Sequence, residues 1–168
     1  MLRYDREIII SRAGNRKALF WPGEKLMWSE FAERLQTPVR GEESYTAYSR
    51  MQKSRQDELK DVGGFVGGAL KNGRRKNTAV LGRDLVTLDL DAIPAGHTDD
   101  VRRAVAALGC ASCVYSTRKH DPGKPRLRVI FPLARTVTAD EYEPIARRMG
   151  EKLDITYGYI EVRAALPV

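Results

Sequence analysis

The sequence has few of the residues that build thiolate metal sites and disulfide frameworks. It contains two cysteines, Cys110 and Cys113, and two histidines, His97 and His120. Two cysteines are too few for an all-cysteine zinc site or a disulfide scaffold. They form a C-x-x-C motif, but the first follows a predicted helix and the second enters a predicted strand, which argues against redox chemistry. We therefore expect a protein of the reducing cytoplasm.

Long apolar runs are also missing. No stretch approaches the roughly 18 apolar residues of a membrane-spanning helix, and the charged start MLRYDRE lacks the apolar core of a signal peptide. We expect no membrane partner. At 168 residues, 42% hydrophobic and 30% charged, the chain suits one folded domain over residues 1–168. We interpret residues 1–78 as an N-terminal α/β elaboration and residues 79–168 as the core.

Acidic residues are scarce in two segments, although the whole chain carries a net charge of only +7. From Lys71 to Arg83 there are five basic residues and no acid, and from Arg118 to Arg128 five basic residues and one acid. Clustered basic charge favours a polyanionic partner. We predict that the first segment binds nucleic acid through Lys71, Arg74, Arg75 and Lys76.

The C-terminal half predicts regular elements in a clear order. Apolar and polar residues alternate over 83–93, which indicates a half-buried strand. A helix follows, with Thr98 as its cap and Gly109 at its end, and strands are predicted over 111–117 and 126–133. Thr138 and Glu141 form a capping-box pattern before a second helix, which Pro144 should kink or delay. The segment 157–163 predicts a final strand.

This order is strand, helix, strand, strand, helix, strand. It predicts an α+β fold with a split β-α-β antiparallel sheet of the ferredoxin-like or RNA-recognition-motif type. Helices would cover one face and leave the other open. The N-terminal half is less regular: 6–11 and 17–21 suggest short strands, and 28–35 and 45–59 suggest helices. The glycines of 63–68 match no phosphate-binding fingerprint and favour close packing beside the sheet.

Asp89 and Asp91 are the clearest candidates for chemistry. Two residues apart on a strand, their carboxylates leave the same face and repel each other unless a cation lies between them. Mg²⁺ or Mn²⁺ would supply that cation and keep positions open for substrate phosphates. The simpler interpretation is that such carboxylates face water or pair with arginines.

The predicted topology brings further polar residues to the same end of the sheet. The carboxyl ends of the first two strands meet there, together with the start of the third. We expect Ser116, Arg118 and His120 from the second strand and Arg126 and Arg128 from the third to bind a nucleotide's phosphates. The last strand, which carries Glu161, reaches the same end.

The motifs LDLD, YSTRKH and PRLRVIFPL resemble the catalytic core of the archaeo-eukaryotic primase superfamily. With DVGGFVGGALKNGRR ahead of them, they resemble the primase-polymerase domain at the N-terminus of virulence-associated E-type phage and prophage proteins. The resemblance implies that Asp89 and Asp91 bind catalytic metal and that Ser116 to His120 contact the incoming nucleotide. It implies a third acidic ligand on or just before the last strand, for which Glu161 is the candidate and Asp154 the alternative. It also implies a superfamily-three helicase as partner, although this sequence ends at Val168.

Our first hypothesis is therefore a metal-dependent nucleotidyltransferase, a DNA primase or polymerase that uses nucleoside triphosphates and a DNA template during phage or mobile-element replication. The alternative is a degenerate nucleic-acid-binding module without catalysis. A rolling-circle nicking enzyme needs paired histidines for its metal, and His97 and His120 are too far apart in sequence to suit it.

Overall fold

The computed structural model describes residues 5–154 and 162–164, with residues 154 and 162–164 described by their backbone. Eight strands and five helices follow one another along this part of the chain. They are β1 Glu7–Ala13, β2 Gly23–Met27, α1 Trp28–Leu35, α2 Tyr45–Arg50, α3 Lys53–Leu59, β3 Gly64–Val66, β4 Gly68–Leu70, β5 Val80–Leu90, α4 Thr98–Ala107, β6 Cys113–Ser116, β7 Leu127–Val137, α5 Ala139–Asp154 and β8 Val162–Ala164.

The larger sheet has β5 at its centre. Strand β7 pairs with one edge of β5 and with β6 on its other side, and both pairings are antiparallel. The other edge of β5 is shared by β4 at its start and β8 at its end. The C-terminal strands therefore lie in the order β8-β5-β7-β6, with β5 and β6 parallel to each other. This confirms the predicted split β-α-β sheet and the α+β class.

One face of this sheet packs against α4 and α5. Val86, Leu88 and Leu90 of β5 point to that side and are fully buried. The helices contribute residues spaced by three or four positions, because that spacing keeps side chains on one helix face. These are Val101, Ala104 and Val105 of α4 and Tyr142, Ala146 and Leu153 of α5.

The opposite face is partly covered, whereas the sequence predicted that it would be open. Leu85 of β5 and Ile130 of β7 are fully buried against Ile8, Trp28 and Phe31 of the N-terminal part. The N-terminal residues thus form a second layer over the sheet. The region around the end of β5 stays accessible on this face, since the side chains of Asp89 and Arg128 there are only partly buried.

The N-terminal layer is a three-stranded sheet in the order β2-β1-β3, with α1 packed beside it. The chain leaves this sheet at Val66 and enters the larger one at Gly68, so a single residue, Gly67, connects them. A Cβ atom at Gly67 would lie 2.6 Å from Leu85 Cβ, and one at Gly68 would collide with the Gly82 carbonyl oxygen. This agrees with the predicted close packing of the glycines.

A buried carboxylate ties the two sheets together. Asp84 lies at an irregularity in the β5–β7 register and is 1% exposed. It accepts hydrogen bonds from the Ile9 backbone N–H at 3.0 Å and the Thr136 hydroxyl at 2.7 Å, and it pairs with the Arg6 guanidinium. A buried carboxylate needs such partners because its charge is otherwise costly to remove from water.

Two N-terminal predictions differ from the structure. Residues 17–21 are an irregular loop, and the strand lies instead at Gly23–Met27. The helix predicted over 45–59 is two helices that end and begin around Met51 and Gln52, both in extended conformation. The strand over 6–11 and the helix over 28–35 are confirmed. No helix within the described ranges is long and apolar enough to cross a membrane.

The predicted start of α4 is wrong by one residue and its end is right. His97 occupies the cap position, and its Nδ1 atom contacts Asp100 Oδ2 at 2.6 Å. Thr98 is the first helical residue rather than the cap. Gly109 follows the helix with φ of +65°, a conformation that favours glycine because it has no Cβ.

The capping box of α5 is confirmed. The Thr138 backbone N–H donates to Glu141 Oε2 at 2.9 Å, and the Glu141 N–H donates to Thr138 Oγ1 at 3.3 Å. The helix begins at Ala139, so Pro144 does not delay its start.

The Glu141 carboxylate should make stability depend on pH. Hydrogen bonds from Arg135 and then from Thr138 lower its pKa from the usual 4.5 to about 2. A lowered pKa in the folded state gives stability that is present above pH 4.5 and is lost as the pH falls towards 2. The difference in Tm between wild type and Glu141→Gln should therefore be constant above about pH 5.5 and close on acidification. Glu143→Gln is the control on the same helix, and a pH-independent difference would contradict the prediction.

Candidate functional site

The site is built around a two-point ion pair between neighbouring strands. Asp89 of β5 and Arg128 of β7 are directly opposite each other in the sheet register. Arg128 Nε donates to Asp89 Oδ1 at 2.6 Å and Arg128 Nη2 to Asp89 Oδ2 at 3.1 Å. Both carboxylate oxygens therefore face one guanidinium, in the geometry that makes arginine–carboxylate pairs strong.

The register partners of Asp89 and Arg128 on the two outer strands continue the line of paired residues across the sheet. Tyr115 of β6 is opposite Arg128, and Arg163 of β8 is opposite Asp89. Burial, the largest single effect, would lower the pKa of Arg128, but the hydrogen bonds to Asp89 together with the electrostatic attraction of Tyr115 and Asp89 outweigh it and raise that pKa above its usual value. Burial raises the pKa of the Tyr115 hydroxyl, against the effect of the Arg128 charge. At neutral pH the site thus holds a charged arginine and a protonated tyrosine.

A second ion pair lies just beyond the strand ends. Asp91 Oδ2 is 3.6 Å from Arg126 Nη1, and the Asp91 side chain is 41% exposed. His120 Nδ1 lies 3.2 Å from the backbone nitrogen of Arg126 and 3.3 Å from its carbonyl oxygen. The loop between β6 and β7 is held closed by this contact and by the Thr117 N–H to Arg126 oxygen bond of 3.1 Å. Arg126 therefore contacts Asp91 through its side chain and His120 through its backbone.

Arg118 points towards the N-terminal part. Its guanidinium pairs with Glu43 and lies over the Tyr48 ring, 4.8 Å from the centroid. A Cβ atom at Gly41 would lie 2.5 Å from Arg118 Nη2, so the segment before α2 passes directly over this arginine. The Arg118 guanidinium is therefore engaged with the N-terminal elaboration, through Glu43 and Tyr48. Ser116, also predicted here, is exposed at the end of β6. It pairs in register with Leu127, so its side chain leaves the sheet on the face of α4 and α5, and the structure does not bring it together with Asp89 and Arg128.

The basic loop from Lys71 to Lys76 lies apart from this site. It precedes the start of β5, whereas Asp89 is near the end of that strand. The separation along β5 is roughly 30 Å, from the usual rise per residue of a strand. Arg83 does not belong to the exposed basic surface, because it is 5% exposed and its guanidinium lies 4.5 Å from the centroid of the Tyr142 ring.

The third acidic ligand predicted from the sequence is Glu161, with Asp154 as the alternative. Glu161 and the side chain of the alternative, Asp154, lie outside the described residues. Among the side chains that the structure does describe, no group of three or more His, Cys, Asp or Glu residues could hold a metal ion.

The donor set at Asp89 and Asp91 nevertheless fits a divalent cation bound with a nucleotide. Mg²⁺ in phosphoryl-transfer sites is commonly held by one or two carboxylates, with substrate phosphates and waters completing its shell. Here two carboxylates lie beside two arginines that could turn to those phosphates. The arginine pairing also matches the simpler interpretation, in which these carboxylates serve only as partners of arginines.

Sequence reasoning missed Glu43 and Tyr48. They come to Arg118 from 75 and 70 residues earlier in the chain. No local pattern indicates such a contact, since α2 has only six residues and precedes the core by a long distance in sequence. Tyr115 was detectable from the alternation along β6 together with the strand pairing, because its register partner is Arg128 and the two side chains leave the same face of the sheet.

The fold and the site together define an α+β protein with a split β-α-β sheet and a carboxylate–arginine site at the end of its central strand. The chain belongs to the VapE N-terminal domain family, whose model matches residues 1–159. No curated protein and no solved structure matches the chain. The VapE-type resemblance is thereby confirmed, and the relation to the primase superfamily stays a prediction.

Proposed function

We propose that this domain is a metal-dependent nucleotidyltransferase of the primase or polymerase type, acting on a DNA template in replication of phage or mobile-element DNA. One observation carries the proposal: Asp89 and Asp91 meet Arg126 and Arg128 at a single accessible end of the sheet. Membership of the VapE N-terminal domain family supports a role in phage replication.

The charges of the site suit an exchange of partners. Each carboxylate now has an arginine as its counter-charge, with the closest contacts at 2.6 Å for Asp89 and 3.6 Å for Asp91. If a nucleoside triphosphate arrives with its divalent cation, the arginines can transfer to phosphate oxygens while the carboxylates hold the cation. The net charge of the protein groups is unchanged, and no charge is left unpaired.

Each residue then has a defined task. Arg126 and Arg128 neutralise phosphate oxygens, and guanidinium groups suit them because they donate two parallel hydrogen bonds. His120, held through Nδ1, would present Nε2 to the triphosphate. A divalent cation held by Asp89 and Asp91 would favour ionisation of the attacking hydroxyl and neutralise the leaving pyrophosphate.

The bond changes are those of phosphoryl transfer. The 3′-oxygen of the growing strand forms a bond to the α-phosphorus of the triphosphate. The bond from that phosphorus to the bridging oxygen breaks, pyrophosphate leaves with the electron pair, and the hydroxyl proton passes to solvent. Positioning and charge neutralisation supply most of the rate enhancement in such reactions.

The wild-type protein should incorporate nucleotides in a template-dependent assay. We expect labelled products on primed or unprimed single-stranded DNA with Mg²⁺ or Mn²⁺, and none after chelation with EDTA. A nonhydrolysable triphosphate should bind more tightly with Mn²⁺ than without it, as measured by calorimetry. Absence of product under every combination of ribo- and deoxyribonucleotides would contradict the proposal.

A non-catalytic nucleic-acid-binding module is the second candidate. It is favoured by the arginine pairing of both carboxylates. It predicts template binding that is indifferent to divalent metal and to triphosphates, so the same two assays separate the candidates.

A further inference from the structure

Two loops meet at the start of β5, far from the site described above. The loop 14–22 between β1 and β2 docks on the turn 71–76, where the Trp21 backbone N–H donates to the Gly73 oxygen at 2.8 Å. Trp21 is buried, and its ring N–H donates to the Ala18 oxygen at 2.9 Å. Arg75 lies over the Trp21 ring, 4.7 Å from the centroid. The two loops therefore form one ordered unit.

This unit presents two large apolar side chains to solvent. Leu19 is 78% exposed and Phe20 is 61% exposed. The Phe20 ring rests against Gly73, where any Cβ atom would collide with it, and Gly73 has a φ of +60°. Because Gly73 has no side chain, the Phe20 ring can pack directly against the backbone of the turn, which holds the ring in one position. Exposed apolar groups held in a defined position are typical of binding surfaces.

The surroundings of Phe20 are basic. Lys17, Lys71, Arg74 and Lys76 are all at the surface, and among the described residues no carboxylate lies within ion-pair distance of them. The acid of this region, Asp61, is engaged with Arg16, accepting the Arg16 backbone N–H at 2.7 Å and lying 3.8 Å from its Nε. The surface thus combines an aromatic ring with unneutralised positive charge.

We propose that this surface binds single-stranded nucleic acid, with a base stacked on Phe20 and phosphates on Lys71, Arg74 and Lys76. Every base has a π-face, and proteins that hold single strands combine aromatic rings with a basic groove. A duplex would not suit Phe20, because its bases are already stacked on each other.

The proposal does not depend on nucleotidyl transfer, because the two sites lie at opposite ends of β5. If the transfer does occur, the roughly 30 Å between them along β5 makes this surface a second holding point for the template strand. Its role would be to retain the strand, not to react with it.

Fluorescence anisotropy with a labelled oligothymidine about twelve nucleotides long, within the usual site sizes of single-strand binders, tests the proposal. Phe20→Ala should weaken binding about 5- to 150-fold, the effect measured for loss of base–aromatic stacking. It should have little effect on an abasic strand of the same length, which has phosphates and no bases. Replacing Lys71 and Lys76 by glutamine should weaken both strands and reduce the salt dependence of binding, by about 0.7 in logarithmic slope for each lysine.

Tyr45→Ala is the matched control, since it removes another exposed aromatic ring on a different element, α2. It should bind both strands as wild type does. Equal binding by Phe20→Ala and wild type would overturn the proposal, and so would an equal loss on the abasic strand. Phe20-dependent binding to phosphatidylserine vesicles without binding of the oligonucleotide would overturn it in favour of a membrane surface. An Asp89 variant should leave oligonucleotide binding unchanged, so failure of the proposed catalysis is distinguishable from failure here.

Discussion

Asp89→Asn should reduce nucleotide incorporation by at least about 10³-fold, while binding of the DNA template stays within about twofold of wild type. The amide would keep the shape of the side chain but would lose the charge that a divalent cation needs. Loss of one charged ligand is expected to remove about 4 kcal/mol or more of transition-state stabilisation, and each 1.4 kcal/mol is about a factor of ten in rate. Incorporation assays in Mg²⁺ and in Mn²⁺, with anisotropy for template binding, provide the measurement.

The substitution also breaks the contact between Asp89 and Arg128, so stability needs its own control. Asp89→Asn leaves a partly buried guanidinium without its carboxylate, which should lower Tm. The double variant Asp89→Asn, Arg128→Gln replaces the ion pair by two neutral amides. It should recover much of that Tm without recovering incorporation.

Two results would contradict the metal assignment. One is normal incorporation by Asp89→Asn. The other is unchanged Mn²⁺-dependent binding of a nonhydrolysable triphosphate, which calorimetry measures without any turnover. If the carboxylate serves only to pair with Arg128, the substitution would change Tm but leave both readouts unaffected.

Asp84→Ala should lower the free energy of unfolding by about 3–5 kcal/mol, the usual effect of removing one partner from a buried ion pair. Its carboxylate accepts from Ile9 and Thr136 and pairs with Arg6. Alanine would leave the Ile9 backbone N–H and the Arg6 guanidinium without the carboxylate that they contact, and loss of a partner for such groups is costly. The Thr136 hydroxyl lies on an exposed residue and can turn to water. Urea unfolding followed by circular dichroism measures the difference.

Asp84→Asn is the milder companion, because it keeps one oxygen acceptor and loses the charge opposite Arg6. It should fall between wild type and Asp84→Ala. Asp99→Asn is the control: its side chain is 74% exposed on α4, and its effect should lie within about 0.5 kcal/mol. An Asp84→Ala protein as stable as wild type would show that the carboxylate does not hold the sheets together.

The C-terminal half of the fold was predictable because its signals are local. Alternation along β5, the capping box of Thr138 and Glu141, and Gly109 after α4 each act within a few residues. Strand order followed from the order of the elements, since few topologies satisfy strand, helix, strand, strand, helix, strand. The convergence of Asp89 with Arg128 followed in turn from that topology.

The N-terminal half was harder because its structure depends on distant contacts. Residues 17–21 have apolar side chains like a strand, yet Trp21 is buried while Leu19 and Phe20 face solvent. That arrangement depends on Gly73, which comes much later in the chain, and no local pattern encodes it. The covering of Leu85 and Ile130 by the first layer is non-local for the same reason.

The site was predicted in part. The pairing of strands places Asp89, Asp91, Arg126 and Arg128 together, and sequence alone shows this through alternation and topology. The direction of Arg118 was not predictable, because Glu43 and Tyr48 reach it from a separate part of the chain.

The passage of the chain through Gly67 has a consequence for how this domain can be divided. Residues 79–168 hold every predicted catalytic residue, yet isolating them would strip the cover from Leu85 and Ile130 and deprive Asp84 of Arg6 and Ile9. The isolated half would expose the apolar side chains of Leu85 and Ile130 to water, and the Asp84 carboxylate would lose two of its partners. Shortened versions of this domain for crystallography or engineering should therefore retain the first layer.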